Sequence, residues 1–433
     1  MNQKTLIGLV VAALVAIVIA IAINHSNKPR SESGGEEQTS TYLVPALRDH
    51  VNDVDKLVLI GAENKPIATL TRGADGWSIA EKSGFAADTG KLREFLLKLA
   101  EAKLIEQKTA SKDKYTALGV EDVSDKDAKG VEIELGGLAQ PVKLIVGTAN
   151  ARGGTFVRRG GEAQSWLASG SLSIDKKPEN WLRKDLVDVQ ANRVASVSIA
   201  RDDGKNVEVA RQTEGDANFK LADVPKGREA GSEFTVNGIA GTLGGLKFDD
   251  VVAAEDARPG DKPLKARYAT FDGLVIDITA WEKDGKDYAQ FIATTDPDQA
   301  AKHIAAQQEK AKADFDAQAS TQQKSATPAA GTSKEGDASK PADANANLAS
   351  APAKPPEVAD PAKDREQKLA ALDKEAADLN ARFKDWTYVL PAYKYANLNK
   401  SQDDLLKPLD EKKDDKKGAA MKKPPTSPAK KAD

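Results

Sequence analysis

VDKLVLIGAENKPIATLTRGADGWSIAEKSGFAADTGKLREFLLKLAEAKLIE, from Val54 to Glu106, sets an order of elements that the chain uses twice. It reads as a strand, a polar turn, a second strand, an aromatic strand around Trp77, a helix and a closing apolar strand. The helix is the clearest part: Leu92, Phe95, Leu96 and Leu99 fall on one face behind a cap at Asp88 or Thr89. The same order returns in VASVSIARDDGKNVEVARQTEGDANFKLA, from Val194, and runs on through EFTVNGIAGTLGGLKFDDV to Val251, with Phe219 in the place of Trp77. Its helix is the weaker of the two because glycine is frequent in it.

Each stretch leads into more strands. GVEIELGGLAQPVKLIVG and GGTFVRRGGEAQSWLA follow the first, and GLVIDITAWEKDGKDYAQFIATT follows the second. Val131, Ile133, Leu135 and Val142, Leu144, Val146 keep the period of two that belongs to strands with one buried face. Asp202-Asp203-Gly204-Lys205 and Lys283-Asp284-Gly285-Lys286 suit hairpin turns. Both modules are expected to close on an aromatic, helix-like stretch, PENWLRKDLVDV around Trp181 and DWTYVLPAYKYANLNKSQDDLL from Asp385. The expected fold class is α+β: two repeated mixed modules built on antiparallel sheets, the first over 41–190, the second over 191–296 and completed by 385–410.

A long insertion, 297–384, splits the second module. Between Phe291 and Phe383 the only aromatic is Phe315, so the region has little to offer a core. Its flanks are nevertheless patterned. Ala301, Ile304, Gln308, Ala311 and Phe315 step by three and four, as do Leu369, Leu372, Ala376, Leu379, Phe383 and Trp386, the spacing of a coiled-coil seam. With a Pro/Ala/Lys-rich centre of disordered composition, the expectation is a helical hairpin arm with a disordered tip. A tail over 411–433 carries eight lysines and is expected to be disordered and basic.

The amino terminus gives an address. From Thr5 to Ile23 no charge occurs, and Val, Ile, Leu and Ala dominate, a length that covers a hydrocarbon core of about 30 Å. Ala20-Ile21-Ala22 resembles a cleavage site, but the apolar run exceeds the usual signal-peptide core, so residues 1–23 are expected to remain as a transmembrane signal anchor, followed by a linker over 24–40. Basic residues flank the span on both sides and orient it only weakly; a lone N-terminal span before a long polar chain sends that chain across. The expected location is the inner membrane, single-pass, with the bulk of the chain periplasmic.

Composition excludes more chemistry than it offers. The balance of 63 basic and 66 acidic residues gives a net charge of -3 and no field for nucleic acid. The absence of cysteine removes disulfides, thiolate nucleophiles and cysteine-ligated zinc. There is no GxSxG, HExxH, GxxxxGK[ST] or strand-borne GxGxxG. Ser-x-x-Lys occurs at Ser111/Lys114, Ser173/Lys176 and Ser427/Lys430, without a KTG companion and as chance allows in a lysine-rich chain. Arg48 to Asp55 sets His50 beside Asp49, Asp53 and Asp55, but an extended lead-in would throw Asp49 and Asp53 to the side opposite His50, against a metal site. Gly153 to Gly161, GGTFVRRGG, reads as a hairpin strand with Arg158 and Arg159 straddling the sheet rather than an anion cradle. Trp77, Trp166, Trp181, Trp281 and Trp386 are spread through both modules and are expected to pack the cores and sheets. No catalytic, cofactor-binding or metal residue is therefore assigned.

The ADGW and DTGKLREFLLKLAEAK blocks, the KYTALGV turn, LIVGTANARGGTFVRR and ENWLRKDLVDV together resemble bacterial proteins of the domain-of-unknown-function family numbered 4340, over Val54 to Leu406 without the insertion. The shared motifs are structural, so no functional residue is carried over. The resemblance implies an N-terminally anchored envelope protein, with ABC-transporter subunits of the gliding type as partners. The expected function is that of a membrane-anchored, extracytoplasmic, non-enzymatic accessory or scaffold protein. The alternative is a module that binds an envelope polymer or anionic lipid through sheet edges and the lysine tail. An enzyme would need Asp, Glu, Ser or Lys side chains to converge in one pocket.

Overall fold

The computed structural model describes residues 41–260, 262–325 and 360–408. The expected anchor at 1–23, the linker at 24–40, the tip of the insertion and the tail at 411–433 lie outside the described residues. No helix among the described residues is long and apolar enough to cross a membrane. The architecture is mixed α and β on antiparallel sheets, in two compact units, Met1–Lys184 and Asp185–Asp433.

The first unit holds β1 (Lys56–Ile60), β2 (Pro66–Gly73), β3 (Gly76–Ile79), β4 (Phe85–Ala86), α1 (Thr89–Glu101), β5 (Leu104–Gln107), α2 (Tyr115–Leu118), β6 (Val131–Gly136), β7 (Val142–Ala149), β8 (Thr155–Arg159) and β9 (Ser165–Ala168). Its nine strands run β4-β3-β2-β1-β6-β7-β8-β9-β5. Leu57, Leu59, Leu70, Ile79, Ile133 and Leu144 alternate onto one face and are fully buried. Asp88 caps α1 by accepting from the Lys91 amide at 2.9 Å. The Leu92–Leu99 stripe is buried, and Phe95 meets Trp181 edge-on with ring centroids 5.7 Å apart.

The second unit holds β10 (Asp185–Val187), β11 (Val194–Ala200), β12 (Val207–Ala210), β13 (Lys220–Leu221), α3 (Glu233–Ala240), β14 (Leu246–Lys247), β15 (Asp250–Ala253), β16 (Leu264–Thr270), β17 (Leu274–Lys283), β18 (Lys286–Thr295), α4 (Pro297–Ser325), α5 (Pro361–Phe383), β19 (Trp386–Val389) and α6 (Ala392–Leu398). Its large sheet runs β13-β12-β11-β16-β17-β18-β19-β15, while β10 pairs with β14 alone. Strand for strand this is the order of the first sheet without β4, each with a helix between its aromatic strand and the strand that ends up beside the last one. The insertion sits between β18 and β19, where the first unit makes the short β8–β9 turn.

Three local expectations change. The stretch from Trp386 to Val389 is a strand rather than part of a helix, because β18 and β15 hydrogen-bond it on both sides; the helix begins only after Pro391. The polar lead-in is not extended but makes two 3-10 turns, Pro45–Leu47 and Val51–Asp53. The coiled-coil stripe of α5 buries Leu372, Ala376, Leu379 and Phe383, but it packs on β18 as well as beside α4: Phe383 lies 5.3 Å from Phe291, centroid to centroid. The side-chain amide of Asn380 accepts from Ala293 N at 2.8 Å and donates to Ala293 O at 2.7 Å, doing what a neighbouring strand would do where β19 no longer pairs with β18.

Candidate functional site: an open cleft in the second unit

The outer face of the first sheet is covered by the chain itself. Residues 108–130, between β5 and β6, lie over β7 and β8, where Tyr115 and Val120 pack on Ile145, with Leu118 and Phe156 at the margin. Arg158, 4% exposed, ties this segment down. It donates to Val120 O at 2.9 Å, to Glu162 O at 3.1 Å and to Asp122 Oδ1, and its guanidinium lies 4.7 Å from the Tyr115 ring centre. Thr148 Oγ1 donates to Leu118 O at 3.1 Å. The approach is so close that a Cβ on Gly147 would lie 2.8 Å from Gly119 O and nearer still to Leu118 O.

The register of the two sheets locates the same place in the second unit. Leu59 pairs with Ile133 and Ile133 with Leu144; Ile199 pairs with Ala266 and Ala266 with Ile278. On that register Gly147 corresponds to Trp281, Ile145 to Thr279, Phe156 to Tyr288 and Arg158 to Gln290. The segment joining β15 to β16, residues 254–263, is less than half as long as residues 108–130. This shorter segment still lies on the sheet, with Ala257 buried and its carbonyl accepting from Thr387 Oγ1 at 3.0 Å, and the residues at the corresponding sheet positions differ: Gly to Trp, Ile to Thr and Arg to Gln.

The second unit has an open cleft of about 630 Å³, bounded by Arg201, Asp202 and Asp203 of the β11–β12 turn, by Lys262, by Trp281 and Glu282 of β17, which point to opposite faces of the strand, and by Tyr395 of α6. Trp281 is 5% exposed and stacks on Tyr288 with centroids 5.8 Å apart. Its Nε1 proton meets no acceptor among the described residues. The cations at the rim are already engaged. Arg201 Nε lies 3.4 Å from Asp203 and its NH1 donates to Asn399 O at 2.9 Å and to Asn399 Oδ1 at 2.6 Å, while Lys262 pairs with Asp202 at 2.9 Å. Glu282 has no such partner among the described residues. Burial, with Glu282 adding to it, pushes the Asp287 carboxyl up. Burial, then Asp287 and Glu282, pushes the Tyr395 hydroxyl up, so it stays a proton donor. The cleft thus has an aromatic floor and an excess of negative charge, and no serine, cysteine or histidine lines it.

The side chains singled out in the sequence lie elsewhere. His50 Nδ1 reaches Asp53 Oδ2 at 2.6 Å across the 3-10 turn, both exposed, and no group of three or more metal-ligating residues occurs among the described residues. Ser111 and Lys114 are exposed around a 3-10 turn; Ser173 is exposed and Lys176 donates to Lys129 O at 2.6 Å; Ser427 and Lys430 lie outside the described residues. Arg158 and Arg159 do straddle β8, Arg159 donating to Leu43 O at 3.0 Å on the face opposite the covering segment. Trp77, Trp181 and Trp281 are buried, Trp166 and Trp386 half-buried. His303, on α4, faces Glu214 at 3.5 Å and Gln307 at 2.8 Å. Sequence reasoning missed the cleft. Its lining comes from stretches far apart in sequence, around Arg201, Lys262, Trp281 and Tyr395, and no single motif marks it.

Residues 77–266 match the family described as Domain of unknown function (DUF4340). No curated protein and no solved structure matches the chain.

Proposed function

Because the chain belongs to the DUF4340 family, whose description carries no activity, we propose its role from its own features: a non-enzymatic accessory or scaffold protein of a membrane assembly, anchored in the inner membrane by residues 1–23 with its two units in the periplasm. An ABC-transporter-type assembly is the partner class that the family resemblance implies. The observation that supports the reading best is the root of the insertion. Arg193 holds α5 through a two-pronged pair with Glu375, both contacts at 2.6 Å, and also meets Asp272 at 2.7 Å. Gln308 of α4 donates to Pro361 O at 2.9 Å, level with the first residue of α5, so α4 runs on from Glu309 without α5 beside it. A helix fixed at its base and projecting beyond its neighbour is a surface for a partner helix. Pull-down from solubilised membranes, with the full chain and with residues 309–359 deleted, tests it. Partners retained by the full chain and lost on deletion are expected; recovery of this protein alone in both cases counts against it. Protease accessibility of the tail in spheroplasts against intact cells tests the topology.

The eight lysines of 411–433 support a second reading, binding to anionic lipid or an envelope polymer. Sedimentation with purified envelope fractions should then weaken steadily as salt rises.

A further inference from the structure

We propose that the first unit carries a binding site for a phosphate monoester, in the small cleft between the Val51–Asp53 turn, the β2–β3 hairpin and α1, with Arg72 and Arg93 as its anchoring groups. The proposal stands apart from the accessory role above and from the cleft of the second unit.

The cleft, about 240 Å³, is lined by Asn52 of the turn, Arg72 of β2, Trp77 of β3, and Thr89 and Arg93 on one face of α1. Arg72 and Trp77 oppose each other in the ladder, so both side chains leave the sheet on the same side. The Arg72 guanidinium lies 5.3 Å from the Trp77 ring centre, and its NH2 donates to Asn52 O at 2.8 Å and to Val54 O at 2.5 Å, which fixes it in place. Its Nε and NH1 meet no acceptor among the described residues, and Arg93 has no partner among them. Both arginines are exposed, so their unmet edges are open to solvent. No carboxylate lines the cleft. Acids nearby in sequence are engaged elsewhere: Asp53 with His50 at 2.6 Å, Asp88 with the Lys91 amide at 2.9 Å and Glu94 with Lys98 at 2.6 Å.

The second unit shows the same arginine where the chain supplies the oxygens itself. Arg211 and Phe219 follow the Ala210–Lys220 pair of β12 and β13 as Arg72 and Trp77 follow the Thr71–Ser78 pair, and the Arg211 guanidinium again lies over the ring, 4.7 Å from its centre. Its NH2 donates to Asn192 O at 2.7 Å and to Val194 O at 2.9 Å, the counterparts of Asn52 and Val54. Its NH1, however, is met by Asp216 O at 2.9 Å, from a loop that replaces the short Ala74-Asp75 turn of the first unit. On α3, Val236, Ile239 and Ala240 are buried as Leu92, Phe95 and Leu96 are on α1, which puts Asn237 in the place of Arg93. Asn237 accepts from Phe219 N at 2.9 Å and donates to Asn218 Oδ1 at 2.8 Å. The first unit lacks the loop oxygen and sets a guanidinium where the second has an engaged amide.

Two guanidinium groups with no acid between them suit an oxyanion. One guanidinium fork already satisfies a carboxylate. A phosphate monoester, with three terminal oxygens and about two negative charges, can meet the Arg93 fork and the NH1 edge of Arg72 together.

Calorimetry tests this on the full chain in nanodiscs of neutral lipid, titrated with glycerol 3-phosphate, with glycerate as the carboxylate of similar size, and with glycerol as the uncharged body. Glycerol 3-phosphate should bind about tenfold tighter than glycerate, and glycerol not measurably. Arg93→Gln should weaken glycerol 3-phosphate by about tenfold, as the loss of a charge-assisted fork does, while Arg365→Gln, the same loss of charge at an exposed position on α5, leaves it unaltered. No binding of glycerol 3-phosphate, unchanged affinity in Arg93→Gln, equal losses in the two variants, or glycerate bound as tightly as the phosphate ester would each overturn the proposal. Melting curves of the two variants, both at exposed positions, should coincide with that of the parent and so keep a folding defect from imitating the result. Repeating the titration in discs that contain phosphatidic acid separates two sources of the same group. Weaker apparent binding there, with the difference lost in Arg93→Gln, assigns the site to a lipid headgroup; unchanged binding assigns it to a soluble ester.

Discussion

Gly147 is where a missing side chain decides the path of a loop. Gly147→Ala would drive a methyl into the Leu118 carbonyl and within 2.8 Å of Gly119 O, neither of which can swing away as a flexible side chain would. Urea unfolding of the first unit should register a loss of about 2 to 3 kcal/mol, typical of overpacking against a fixed neighbour. A loss near zero would mean that residues 108–130 are free to lift off. Glu132, beneath the same covering segment, gives a pH-dependent counterpart. Burial raises its carboxyl above the ordinary value, Lys143 at 4.0 Å only partly opposing this, with Glu134 adding to the rise. The group is then more easily protonated folded than unfolded, so its contribution is most favourable at acid pH and is lost as pH rises through the folded value. Glu132→Gln should therefore stabilise the protein at neutral pH, and the gain should shrink as pH falls through the carboxylate range. Paired melts at the two pH values check it, and a gain that grows toward acid would reverse the assignment.

At the scale of elements, local pattern was readable wherever a single period ran for several residues. The α1 stripe and its Asp88 cap, the β6–β7 alternation and the Asp284-Gly285 turn, where both residues take positive φ (53° and 70°), stand in the structure as the sequence spells them. Trp386 to Val389 departs from the helix-like reading because a short apolar run carries no period of its own; two neighbours distant in sequence, β18 and β15, make it a strand. The stripe on α5 was readable, but its neighbours were not, since the same spacing serves a helix or a sheet edge. Asn380 shows which neighbour matters. Asn380→Ala would leave Ala293 N and O without the bonds they now share with its amide, and a buried edge pair left unmet costs about 1 to 3 kcal/mol. The insertion should then detach first: amide exchange at Ala293 and protease cleavage within α5 are expected to rise well before global unfolding. Simultaneous loss of all protection would show instead that α5 is indispensable to the sheet.

At the scale of the whole molecule, the two units share a strand order but differ in what covers it. That difference was hidden from a reading of either module alone, because a shortened segment, residues 254–263 against 108–130, shows only when the two are compared. The strand order also makes a prediction about independence. Every partner of β11, β12, β13, β15, β16, β17, β18 and β19 lies within the second unit, and the small β10–β14 sheet closes there too, its first strand beginning at Asp185 where the unit begins. A fragment spanning residues 185–408 keeps all of these pairings, the α5 contact with β18 and the salt bridge between Lys205 and Asp403 at 2.8 Å. It should unfold in urea as one cooperative step, with circular dichroism and the fluorescence of Trp281 and Trp386 giving the same midpoint. Two separated midpoints would place a fold boundary inside the unit. The absence of any transition would mean that the sheet, complete in its own hydrogen bonds, still depends on residues before Asp185 to stay folded.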